Sequence, residues 1–509
     1  MRYRSTRGET GATFEQALSR GYAADGGLYV PEELPKISLQ TLTAWRKLDF
    51  PSLSLELLKL FVGEELSETE LSSVVKGSYS NFSDSRVVPV VPLQKKPMDG
   101  SSQKRKAAEL EEPVFIAELF HGPTFCFKDL GQQLLVRLLA HFSRKRKQKR
   151  TFLVSTTGDT GPAAMRAVAD AACEYLQILV FYPEGQISEL QRRQMTTVSG
   201  EGARVVTFEG GGDDMDLPIK RVGADQSFSE RHGLCGINSY NLGRPLAQLC
   251  HFFWGYLRAL DHLGVEVGTY VDFCLPGGAL GNTAAALMAR QMGLPVRRLV
   301  VGVNANDITH RTISKGEFHR SEHMAKTLSD AINIQVPYNM ERVFYYLTGE
   351  DSSMVTTWMA EMDKTGRLQL PTEWLQRMQE VFSSARVDDD SMCSCLRRAE
   401  DEFGYLLCPH SAVALQAHFA TREAVPEKAA ARVVFATASP CKFEHSVTTA
   451  LGGDLWRQYQ EGTTFPAAAR EVLTARETPP LRFAAAGSLA QTQTDWETQL
   501  RALLDHKAF

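Results

Sequence analysis

The stretch TFLVSTTGDTGPAAMRAVAD (residues 151–170) reads as a buried strand, a glycine turn and a helix in direct succession. TFLVS is apolar enough to be covered on both faces, and Pro162 falls near the first helical turn, where a missing N–H costs nothing. Gly158 and Gly161 let the backbone aim N–H groups at an anion, and the helix N-terminus adds positive potential there. Thr156, Thr157 and Thr160 add hydroxyls. A plain strand–helix connection also carries glycines, so this turn alone leaves both readings open. The same alternation continues outward. Apolar runs at 176–183, 203–210, 234–238, 268–278, 296–304 and 431–439 are separated by helical stretches near 187–197, 214–231 and 244–264. Continuous apolar strands alternating with helices predict an α/β fold of parallel strands wrapped by helices.

A second segment repeats the pattern: LPGGALGNTAAALMAR (275–290). No Gly-Lys-Ser/Thr follows, so it is not a nucleoside-triphosphate loop. Its glycines at 277, 278 and 281 do not fit the dinucleotide fingerprint either. Two such turns at the carboxyl ends of neighbouring parallel strands are expected to bind a ligand pair with two or more anionic groups. Between them in function, if not in sequence, stands HGPTFCFKDLG (121–131), which sets Lys128 among Phe125, Cys126 and Phe127. A surface lysine is the plain reading. A buried one loses charge more readily and becomes a nucleophile toward aldehydes. A reactive amine with two anion cradles fits an aldehyde cofactor with a phosphate tail and a substrate with a carboxylate; pyridoxal 5'-phosphate meets that description.

At 509 residues the chain exceeds one hydrophobic core. A net charge of −4 gives no basic character for nucleic acid. The basic run SRKRKQKR (143–150) reads as a solvated helix end. Cysteines number nine, an odd count without CxxC, which suits buried reduced thiols better than a disulfide framework. No apolar region follows MRYRSTRGET, and no run is long enough for a membrane helix. No metal-ligand spacing is visible. The expectation is a cytoplasmic enzyme, monomer or homodimer, with no nucleic-acid or membrane partner.

Four parts are predicted. Residues 1–95 form an N-terminal cap, joined by the polar stretch 95–112, a hairpin tip or linker. Residues 113–150 and 235–450 form a large cofactor-binding domain, with a helical insertion at about 340–405. Residues 151–234 form a small, mobile α/β substrate-side domain, and 451–509 a tail without evident function.

Further stretches make the chain recognisable: YRSTRG (3–8), GYAADGGLYVPEELP (21–35), ELFHGPTFCFKD (118–129), TTGDTG (156–161), NSYNLGR (238–244), NANDITHR (304–311), VPYNMERVF (336–344), CPHSAVAL (408–415) and ATASPCKF (436–443). In this order, over nearly the whole length, they resemble the threonine synthase family of fold type II pyridoxal-phosphate enzymes, and most of all its threonine synthase-like branch. The resemblance implies that Lys128 holds the cofactor through a Schiff base. It implies that Gly278, Ala279, Leu280, Gly281 and Asn282 hold the cofactor's phosphate, that the Thr437 hydroxyl meets the pyridine nitrogen, and that Asp159 lies near the phenolic oxygen. Thr156, Thr157, Gly158 and Thr160 would receive the substrate carboxylate; Asn238, Ser239 and Arg244 would receive its phosphate. Arg244 reads alternatively as a structural ion pair, and His121 as a hydrogen-bonder near the lysine or a packed core histidine.

Departures from the family pattern accompany the likeness. Ala279 replaces the usual Asn, Asn282 an Asp, Thr157 a Ser, Cys408 an acid, and Ser439 a His. They leave the cofactor pocket intact, because backbone N–H groups do most of the phosphate binding, but they weaken control of later steps. The branch resemblance and this loss of polar groups predict a phospho-lyase acting on a phosphorylated amino acid, O-phosphohomoserine or O-phosphothreonine, to give 2-oxobutyrate and ammonia. A true threonine synthase, a pseudoenzyme serving as a binding module, and a dehydratase needing no phosphate are the alternatives.

Overall fold

The computed structural model describes residues 1–96, 113–198, 202–212, 214–422 and 429–505. Most of the expected hairpin tip at 95–112 therefore lies outside the described residues. The fold is organised around two sheets. The large one is six-stranded, in the order Phe382–Arg386, Val296–Val303, Val271–Pro276, Arg432–Ala436, Val114–Glu118, Val90–Pro92. All neighbours are parallel except the last, which runs antiparallel. Burial on both faces explains the near-continuous apolar character of VDFCLP and RVVFA, every residue of which is buried.

The small sheet has five strands, in the order Leu481–Phe483, Ala203–Phe208, Leu176–Pro183, Arg150–Ser155, Leu234–Cys235, and is parallel throughout. Two expectations change here. The two glycine turns do not follow neighbouring strands of one sheet: Arg150–Ser155 belongs to the small sheet and Val271–Pro276 to the large one. The tail is part of the small unit's core. Leu481–Phe483 extends its sheet, and Trp496, Leu500 and Leu504 from the helix Leu489–Asp505 pack with Phe181, Val206 and Phe208. The segment 340–405 also proves less purely helical than expected, since Phe382–Arg386 is the edge strand of the large sheet.

The cap joins the large unit early. Val90–Pro92 already pairs with Val114–Glu118. Thr6 and Arg7 of the YRSTRG stretch donate to the buried Glu341, at 2.6 and 2.9–3.0 Å. The helix Gly243–Leu263 is buried along nearly its whole circumference. That fits its position between the cap helix Phe50–Val62, the helices Lys128–Arg146 and Gly281–Gln291, and the large sheet. Its C-terminus closes on Gly264 in the left-handed conformation. All nine cysteines are free and buried.

Candidate active site

In parallel sheets, ligands bind beyond the carboxyl ends of the strands. Three adjacent strands of the large sheet deliver three of the expected segments to that edge. After Val114–Glu118 comes the loop leading to Lys128, after Val271–Pro276 the second glycine turn, and after Arg432–Ala436 the residue Thr437. The first and last are stitched together. Phe127 N–H donates to Thr437 O at 2.7 Å, and Ser439 N–H donates to Phe125 O at 2.9 Å. Phe125 takes a left-handed φ of 63°, which turns the chain into the helix beginning at Lys128.

Lys128 is half-buried. Its ammonium lies 5.7 Å from the Phe127 ring centroid and 3.9 Å from Asp159 Oδ2. Asp159 arrives from the small sheet at the start of the helix Thr160–Ala171, so the lysine sits where the two sheets meet. The other Asp159 oxygen is held by Lys442 Nζ at 2.7 Å and Gln191 Nε2 at 2.9 Å. Burial alone would raise this carboxyl's pKa, but Lys442 and then Lys128 outweigh it and hold it well below the usual range. Neighbouring Asp129, fully buried, accepts from Thr124 N and Oγ1, and burial still pushes it up to about 6.

The turn at 156–161 is wired differently from the expectation. Gly158 and Gly161 N–H both donate to Thr156 Oγ1, at 3.1 and 3.0 Å. They therefore do not face a ligand, and Thr156 spends its hydroxyl inside the turn. Thr157 and Thr160 remain half-buried with no side-chain hydrogen bond among the described residues.

The turn at 277–282 is the open one. Leu280 adopts a left-handed φ of 59°, and the N–H groups of Gly278, Ala279, Leu280, Gly281 and Asn282 have no partner among the described residues. The helix Gly281–Gln291 begins there without a side-chain cap, so its positive end is free for an anion. A Cβ at Gly281 would meet Ser239 Cβ at 3.0 Å, which places Ser239 against this turn. Asn339 Nδ2 donates to Ala279 O at 2.9 Å and secures the loop. Asn282 Oδ1 accepts from His251 at 2.8 Å, leaving the amide nitrogen buried and unpartnered.

Arg244 is buried and packs over the helix that starts at Lys128. A Cβ at Gly131, three residues beyond the lysine, would stand 2.7 Å from Arg244 Nε. Nη1 donates to Ile237 O at 3.2 Å, while Nε has no partner and no carboxylate lies within ion-pair distance among the described residues. The structural ion pair considered for Arg244 is absent, and burial lowers its pKa to about 10. Asn238 Oδ1 is likewise buried and unpartnered. His121 instead turns to Glu118, 2.7 Å away, and stacks on Phe120. Sequence reasoning passed over Lys442 and Gln191. The lysine was visible in Cys441-Lys442-Phe443, the same oily setting that singled out Lys128.

These residues suit a phosphate-bearing aldehyde: an open ring of N–H donors on one side, and an amine facing an ionised carboxylate on the other. The comparisons agree. Residues 2–79 match the threonine synthase N terminus model, and residues 101–437 match the model of pyridoxal-phosphate dependent enzymes. The chain is 40% identical to Threonine synthase-like 2 of Pongo abelii over 88% of this chain and 89% of that protein. It is 33% identical to Threonine synthase of Pseudomonas aeruginosa over 88% and 90%. Its structure superposes on threonine synthase from yeast with a TM-score of 0.85 at 28% identity, covering 98% of both chains. For the pyridoxal-phosphate-bound threonine synthase from Brucella melitensis the values are 0.83 and 30%, covering 98% and 99%. The fold and site define a fold type II pyridoxal-phosphate-dependent enzyme. Within that class, the chain belongs to the threonine synthase family. Its cofactor is pyridoxal 5'-phosphate. Among the described residues no helix is long and apolar enough to cross a membrane.

Proposed function

We propose that the chain is a phospho-lyase. It eliminates phosphate from O-phosphohomoserine or O-phosphothreonine and, with one water, yields 2-oxobutyrate, ammonia and phosphate. When bound, the cofactor supplies an electron sink for a bond broken at the substrate's Cα. In this reading Lys128 tethers the cofactor, and its neutral amine then takes the Cα proton. The N–H groups of 278–282 hold the cofactor phosphate, Thr437 and Asp159 address its ring, and the free hydroxyls of Thr157 and Thr160 bind the substrate carboxylate, a role Gly158 loses because its N–H is taken by Thr156.

The observation that carries the substrate class is Arg244. A guanidinium taken out of water without an acid is costly, and a phosphate is the bidentate partner its geometry suits. Asn238 and Ser239 lie beside it in the chain and serve the same end of the substrate. Elimination, in preference to water addition, is supported by the side chains at and around two of the positions that depart from the family pattern, Cys408 and Ser439, which are already engaged. Ser439 Oγ contacts Cys441 N and Tyr459 Oη. Ser411 Oγ accepts from Thr437 N, and Cys408 Sγ caps its own helix at Ser411 N. Adding water on one face of a substrate needs a group to hold that water.

The test is direct. Purified, cofactor-loaded protein is incubated with O-phosphohomoserine and O-phosphothreonine, and 2-oxobutyrate, ammonia and threonine are quantified. We expect 2-oxobutyrate and ammonia in equal amounts. Threonine as the main product would make the chain a threonine synthase, and equal turnover of unphosphorylated threonine would remove the role given to Arg244.

A further inference from the structure

Lys442 brings a second ammonium to the same carboxylate. Its side chain is 0% exposed, on the turn Pro440–Lys442 that follows Thr437. Nζ donates to Thr124 O at 2.8 Å and reaches Asp159 Oδ1 at 2.7 Å, while Lys128 stands 3.9 Å from Oδ2. The first contact is a short charge-assisted hydrogen bond; the second is too long to be one. Asp159 is therefore committed to Lys442 and Gln191, and Lys128 is left with the weaker share.

We propose that Lys442 is a positioning residue for the reaction: it holds Asp159 in place and neutralises it, so that the Lys128 amine is free to bond and to move protons. This rests on Lys128 being the cofactor-bearing lysine. The charged or titratable groups around Lys128 come from each packed element. Asp159 comes from the small sheet's helix, Lys442 from the turn after Thr437, and Cys126 and Asp129 from its own segment, while Arg244 of the helix Gly243–Leu263 packs at Gly131, one turn further along. Asp129 is occupied by Thr124, and Arg244 carries positive charge, so Asp159 is the carboxylate available to pin Lys128 as an ammonium. Without Lys442, Asp159 would have Lys128 as its remaining cation.

The measurement is the pH titration of the visible absorbance of the loaded, full-length protein, with borohydride trapping and peptide mass mapping of the modified lysine. A unit charge removed from the far side of the same buried carboxylate predicts a midpoint raised by at least about one pH unit in Lys442→Met. Asp159→Asn, which leaves Lys442 as an unbalanced positive charge, lowers it, and Lys442→Arg stays near the parent. Should Lys442→Met fail to fold, Asp159→Asn and Lys442→Arg decide the matter. A midpoint unmoved in Asp159→Asn and Lys442→Met, with the trapped cofactor on Lys128, overturns this inference alone. A cofactor trapped on a different lysine overturns the assignment of Lys128 and this inference with it.

Discussion

The two glycine turns share one grammar (strand, glycines, helix) and end in opposite electrostatics. At 156–161 the turn satisfies itself: Thr156 absorbs two N–H groups, and Asp159 carries a negative charge held by Lys442. At 277–282 the turn satisfies almost nothing: consecutive N–H groups are left open at a helix start, with an unpartnered Asn282 amide beside them. Glycine in a turn permits an anion site but does not make one. What decides is whether a neighbouring side chain has already taken the donors.

Variants on either side of this contrast separate its parts. Removing the amine between the turns has the largest effect: Lys128→Ala should lower turnover by about 10²–10⁴-fold, followed as phosphate release. Gly281→Val pushes a side chain against Ser239 and the open N–H ring. It should weaken cofactor affinity by about tenfold or more, read by absorbance titration, while Thr157→Val should raise KM and leave that affinity alone. Equal loss of cofactor affinity in both would erase the division of labour. Thr156→Val orphans the Gly158 and Gly161 N–H groups and should destabilise the protein by about 1–3 kcal/mol in chemical denaturation. The smallest effect concerns acid. Asp159 titrates well below its unfolded value of about 3.9, so its contribution is present above that pH and drains away as pH falls. The stability of Asp159→Asn should accordingly change less steeply below about pH 5 than that of the parent.

Much of this was legible beforehand, for physical reasons. Strands buried on both faces, such as Leu176–Pro183 and Val271–Pro276, must be apolar along nearly their whole length, and they announce themselves. Edge strands need not be: FSSAR at 382–386 has one flank and polar residues, so it read as part of a helical insertion. LRF at 481–483 is too short to show a period. Lys128 stood out because it sits among aromatic residues, while Lys442, in comparable company, drew no notice because its partner Asp159 lies far away in sequence. The wiring of Thr156 was invisible for a different reason. Which oxygen claims an N–H depends on rotamer and packing, not on residue type.

One consequence follows from the strand Leu481–Phe483. The small sheet takes its outer strand from a part of the chain more than 270 residues beyond Ala203–Phe208, the strand it covers. During synthesis that covered strand must wait, its hydrogen-bonding edge bare, until more than 270 further residues have left the ribosome. Chaperone demand and vulnerability to premature stop codons should therefore concentrate on this unit, far from where its first strands are encoded.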